Sequence, residues 1–151
     1  EDAVDGTSFY PTDAFARARA RELLKYSELY LELPARRCYG EAFFGTGPVS
    51  DEVKENVRPV LERGCRAIQR LGGFSPYLAG DDVSYADFVF MHSFPNAAAV
   101  AKIVFGWNLN DALPEAAKLL GRLNQRPVAI KVAEDAKNGM KEFRDAYGMK
   151  G

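Results

Sequence analysis

Between Tyr85 and Phe105 the chain runs with only Asp87 and Lys102 formally charged, and its apolar residues fall on every side of a helical projection. A helix without a polar face has to be wrapped by other elements. The run therefore predicts a central helix with amphipathic helices packed around it. A bilayer span is the competing solution for such a segment, but Asp87, His92, Pro95, Asn96 and Lys102 interrupt it too often. No membrane partner is expected.

The remaining sequence supplies the surrounding helices. From Ala14 to Leu33, the positions Ala16, Ala20, Leu23, Leu24, Ser27 and Leu31 recur at helical spacing, with Arg17, Arg21, Lys25, Glu28 and Glu32 opposite. Thr12 and Asp13 stand where a cap belongs, and Pro34 should end or kink this helix because its ring nitrogen has no proton to donate. Gly40 to Val49 reads as a connection. Ser50, Asp51 and Glu52 then open a second helix, striped by Val53, Val57, Val60, Leu61, Gly64, Ile68 and Leu71. A bend is expected at Pro59 and a stop at Gly72 and Gly73, while Arg63, Arg66 and Arg70 place positive charge near the negative end of the helix dipole.

After a turn-prone stretch from Gly106 to Asn110, Leu113, Ala116, Leu120 and Leu123 mark a further helix with Pro114 near its first turn. Pro127 stops it and opens a shorter one on Val128, Val132 and Ala136, ending at Asn138 and Gly139, with Phe143 and Tyr147 anchoring a last turn. No segment alternates with period two, so the fold class is all-α, a helical bundle.

Composition excludes several functions. With 20 Lys and Arg against 21 Asp and Glu, the chain has no surplus of positive charge for a phosphate backbone, and nucleic acid is not an expected partner. One histidine and two cysteines do not make a multi-histidine or four-cysteine metal site. Cys38 and Cys65 lie in helical segments and are expected as free thiols of a reduced, cytoplasmic protein. The acidic start from Glu1 to Asp5 has neither the basic nor the apolar portion of an export signal. Arg37 and Arg66 adjoin the cysteines in sequence, but no histidine or helix start is placed to activate either thiol.

The most specific local signal precedes the central helix. Ser84 is a good N-cap, its hydroxyl suited to accept from the amide three residues on, and Asp87 can return a bond to the Ser84 amide. Together they form a capping box with Asp in place of Glu. Val83 before the cap and Phe88 four positions into the helix complete a hydrophobic staple.

Tyr77-Leu78-Ala79-Gly80 leads into this box, an arginine-bearing helix precedes it, and a leucine-rich helix ending Asn124-Gln125-Arg126-Pro127 follows. The order resembles the C-terminal all-helical domain of the glutathione transferase family, in its bacterial form. Phe9-Tyr10-Pro11-Thr12-Asp13 and the helix start after it are similar to the family's interdomain linker, so the resemblance covers nearly the whole chain. It implies that residues 1–11 are the end of a preceding domain and a linker, and that residues 12–151 are the helical domain. The missing partner would be an N-terminal thioredoxin-like domain, which in the family binds glutathione and carries the catalytic residue.

The resemblance further implies a cytoplasmic homodimeric enzyme of detoxification, with glutathione as co-substrate and no other cofactor or metal. This domain would supply one wall of the pocket for a small apolar electrophile, and no catalytic residue. On the first helix Tyr26, Tyr30 and Leu33 form a second stripe, about 60° from the core stripe at 3.6 residues per turn. On the central helix His92, Asn96 and Val100 follow the box at helical spacing. The blander reading makes the tyrosines interface packing, His92 a satisfied core histidine, and Phe105 with Trp107 core or interface. Two other functions compete: a non-catalytic interaction module of the same fold, and a helical domain with no ligand.

Overall fold

The structure is a computed structural model that describes residue 6 and residues 8–147. The stretch Glu1–Asp5, expected as the tail of a preceding helix, lies outside the described residues, as does the Tyr147 side chain. The described chain forms two compact units, one reaching to Leu119 and the other starting at Leu120. Among the described residues all regular structure is helical.

The first unit opens with α1 (Ala14–Tyr26), capped by Asp13, whose carboxylate accepts from the Ala16 amide at 2.8 Å. The helix then widens into a π turn, Ser27–Glu32, and returns to α geometry in α2 (Leu33–Arg36). Pro34 thus neither ends the rod nor breaks it. In a regular α-helix its ring would crowd the carbonyl of Tyr30, and the wider register just ahead of it relieves that crowding. The expected connection after Gly40 includes a second π turn, Gly40–Phe44. Next come α3 (Asp51–Leu71), capped by Ser50 and continuous through Pro59, and α4 (Tyr85–Phe105), the predicted central helix.

A short α5 (Leu109–Ala112) forms within the segment expected to be a turn, with the Asn108 side chain accepting from the Asn110 amide at 3.2 Å. The chain continues in α6 (Glu115–Asn124) and α7 (Pro127–Tyr147). On α6 the fully or nearly buried positions include Leu119, whereas Leu120 is half-buried. In the second unit α7 does not stop at Asn138 and Gly139. Gly139 stays helical among Lys137, Met140, Lys141 and Glu142, strong helix formers that outweigh the roughly 1 kcal/mol that a glycine costs. Phe143 remains 44% exposed.

By length and composition α4 is able to cross a bilayer, yet it packs instead against α1, α3 and the first π turn. Phe90 and Phe94 are its largest buried side chains, stacked with ring centroids 5.0 Å apart. Full burial of such a ring contributes roughly 1.5–3 kcal/mol. Gly106 ends the helix in the left-handed conformation at φ 61°, and the Trp107 amide reaches back to the Ala101 carbonyl at 3.0 Å.

The start of α4 is fixed by the capping box. Asp87 is fully buried, and its Oδ2 accepts from the Ser84 amide at 2.8 Å and from the Ser84 hydroxyl at 3.0 Å. The reciprocal arrangement of the two residues is present. Its Oδ1 accepts from the amide of Leu78 at 2.7 Å, nine residues upstream, which the sequence reading had not assigned. Burial pushes the Asp87 carboxyl above the ordinary range, while the bonds from Leu78 and Ser84 pull it back.

Outside the box, Phe88 lies edge-on to Phe9 at 5.1 Å, and the Tyr85 amide donates to the Phe9 carbonyl at 3.2 Å. Phe9 is therefore hooked onto the head of the central helix. Arg21 stacks over Tyr10 at 5.0 Å and Arg17 binds the carbonyls of Pro11 and Thr12, extending the hook to α1.

Replacing Asp87 with alanine strands three donors, two of them backbone amides, and should cost more than about 2 kcal/mol; Ser84→Ala should cost about 1 kcal/mol. Thermal melts should show that order, at about 2–4 °C per kcal/mol for a chain of this size. Equal shifts for the two variants would contradict the role given to the Leu78 bond.

Candidate functional site

The candidate site is built on the first π turn. Ser27, buried at its start, donates its hydroxyl proton to the Leu23 carbonyl at 3.0 Å, a back-bond that loosens the α register. The Leu33 amide then reaches five residues back to the Glu28 carbonyl. The expanded turn presses against α3 at Gly64, where a Cβ would sit 2.8 Å from the Tyr30 Cβ and 2.9 Å from the Tyr30 carbonyl oxygen. Only glycine permits that approach, so Gly64 sets how closely α3 seats the segment carrying Tyr30.

The structure gives the six predicted wall residues different surroundings. Tyr26 and Tyr30 touch, with ring centroids 5.1 Å apart, and Tyr26 also lines a groove beside the end of α3. Leu33 is 56% exposed. On α4, His92 and Asn96 are exposed and Asn96 donates to the His92 carbonyl at 3.1 Å. His92 is thus a surface residue rather than a core histidine. Val100 is fully buried and belongs to the core, so it presents nothing to a pocket.

A polar cluster that sequence reasoning missed joins the π turn to α4. The Ser93 hydroxyl donates to Glu32 at 3.1 Å, and Arg36 grips the other oxygen of that carboxylate at 2.6 and 3.0 Å. The Tyr39 hydroxyl is shut off from solvent beside the Asn96 side chain. Burial, reinforced by the Glu32 charge, pushes the Tyr39 phenol up, so at neutral pH it keeps its proton and is not a base. The available signals were the four-residue spacing of Glu32 and Arg36 and a lone serine in an apolar helix. Neither reveals that the two meet.

Cys38 and Cys65 are free thiols with no exposed surface. Burial pushes the Cys65 thiol up to about 12 against the opposing charge of Arg66. Burial and Glu41 raise Cys38 in the same direction, with Arg37 opposing. Neither supplies a thiolate nucleophile at neutral pH. Among the described residues no three metal-ligating side chains converge.

No family model matches the chain. It is 38% identical over 145 residues to a protein of Pseudomonas putida named glutathione S-transferase, a match that takes in 96% of this chain and 66% of that protein. Its fold is similar to that of Gtt2 from Saccharomyces cerevisiae, with a TM-score of 0.62 and 24% identity, covering 86% of this chain and 63% of that one. It is also similar to a glutathione S-transferase from Sinorhizobium meliloti 1021, with a TM-score of 0.57 and 24% identity, covering 80% and 54%.

A central helix entered through a capping box and ringed by amphipathic helices defines an all-α bundle of the class these structures share. The chain belongs to the glutathione transferase family, as its C-terminal all-helical domain. It spans just under two thirds of the length of the Pseudomonas relative.

Two measurements check this geometry. Gly64→Ala should destabilise the fold by about 1–3 kcal/mol through overpacking, read as a lower urea midpoint at unchanged slope. Iodoacetamide at pH 8 should label neither cysteine in the native protein and both after denaturation, as peptide mass spectrometry would show.

Proposed function

We propose that this domain forms one wall of the pocket for an apolar electrophile in a cytoplasmic glutathione transferase that joins glutathione to it, in keeping with a role in detoxification. Glutathione is then a co-substrate, bound and activated by a preceding thioredoxin-like domain, with residues 1–11 as the end of that domain and the linker. The observation that carries this reading is the apolar surface around the π turn and the turn that follows it. Leu29 is 45% exposed, Leu33 56% and Phe44 47%, on the segment that also presents Tyr30. Large apolar side chains left open to water beside a hydroxyl-bearing ring suit a cleft completed by another domain.

In this reading Tyr30, Leu33, His92 and Asn96 face the electrophile, Tyr26 backs Tyr30, and Val100 supports the wall from the core. Thiol activation lies elsewhere, because the buried cysteines are held protonated and Tyr39 is no base. The assembled enzyme is a homodimer whose contact surface draws on both domains, so the helical domain alone associates weakly.

Steady-state kinetics on the full-length protein with an aryl halide test the assignment. Tyr30→Ala and Asn96→Ala should raise KM for the halide several-fold and leave KM for glutathione within twofold, since the wall touches one substrate only. The 151-residue chain alone should show no heat of glutathione binding by calorimetry. Unchanged halide kinetics in both variants would remove these residues from the pocket. A folded full-length protein that conjugates nothing would turn the assignment to a non-catalytic interaction module.

A further inference from the structure

Beside that wall, and sharing Tyr26 with it, a groove of about 740 Å3 lies between α1, the last turns of α3 and α5. Arg63, Arg66 and Arg70 line one side of it, separated by three and four residues and so on one face of α3. Among the described residues none of the three pairs with a carboxylate. Glu22, the acid in the groove wall, is engaged by Arg19 at 2.9 Å, and Glu62 on the same helix is engaged by Arg58 at 3.1 Å. The dipole at the end of α3 accounts for one cation in the last turn, Arg70, but leaves Arg63 and Arg66 without an electrostatic partner. Like charges at this spacing repel, and a bound anion relieves both contacts, Arg63 with Arg66 and Arg66 with Arg70, at once.

The remaining lining names the kind of anion. Arg63 to Arg70 spans about 10 Å along the helix at 1.5 Å per residue, longer than one carboxylate and suited to a chain of phosphates. Guanidinium groups bind phosphate oxygens through paired N–H donors. Tyr26, Ala67 and Leu71 provide an apolar floor, and the Tyr26 ring is braced by Tyr30 behind it. The volume exceeds what phosphates alone would fill.

We propose that this groove is a binding site for a small organic polyphosphate of nucleotide size, its phosphates bridging Arg63, Arg66 and Arg70 and its planar body lying on Tyr26. The proposal does not rest on the conjugation chemistry.

Calorimetry on the full-length protein with ATP as the probe tests the proposal. ATP should bind, and the double variant Arg66→Ala with Arg70→Ala should weaken it at least tenfold in a protein that still melts cooperatively and conjugates at an unchanged rate. Tyr26→Ala should weaken ATP severalfold and leave sodium tripolyphosphate unaffected, because only ATP has a body to stack. Sodium tripolyphosphate should bind more weakly than ATP to the parent protein. Absence of ATP binding at millimolar concentration, or binding that survives the double arginine variant, would overturn the site. Equal affinity for ATP and tripolyphosphate would overturn the part assigned to Tyr26.

Discussion

A carboxylate with no access to water has to be met by donors on every side, and Asp87 organises the first unit through that requirement. Its two oxygens hold the first turn of α4, the cap residue and the loop residue Leu78 in one arrangement. The loop cannot move away without leaving the charge uncovered. Phe9 and Tyr10 pack on that head, so the entry of the chain into α1 is referred to the same point. The central helix is apolar enough that burial alone would tolerate sliding along its axis, and the box fixes its position.

The first π turn plays a corresponding part in the helical rod that packs against α4. Pro34 asks for extra room ahead of it, Ser27 loosens the register, and Gly64 gives the widened backbone a place to sit. Glu32, at the end of the turn, is then tied to α4 through Ser93. Arg36 holds the same carboxylate from the solvent side, where an exposed pair adds little energy by itself but restrains the side chain. Orientation of the segment carrying Tyr30 and Leu33 thus follows from backbone register more than from the side chains themselves.

Features set by neighbours in sequence were readable and features set by neighbours in space were not. Ser84 and Asp87 are three residues apart and their chemistry is local, so the box and the helix behind it were legible, as were the Asp13 and Ser50 caps. The Leu78 bond was not, because a loop amide carries no signature of its acceptor. Helical spacing put Val100 in line with His92 and Asn96, but a helix that is apolar all round gives no phase to say which side faces outward. For the same reason spacing could not decide between His92 as a wall residue and the blander reading of it as a core histidine. The stop expected at Asn138 and Gly139 followed local turn chemistry, which helix formers on both sides override. Arg63, Arg66 and Arg70 were seen as charges suited to a dipole; that they border a groove depends on α1 and α5, which spacing along α3 does not reveal.

A π turn holds one residue more than the α turn it replaces, which makes the segment from Ser27 to Glu32 a counting device. Because the wider turn takes up that extra residue, a chain lacking one position here would close as an ordinary α turn and leave everything beyond it at nearly the same compass bearing. Leu33 would keep its present outlook, while the side chains inside the turn, Tyr30 among them, would be re-aimed. Among related chains, a gap of one residue at this place would therefore change what the turn itself presents and leave the rest of the rod in register.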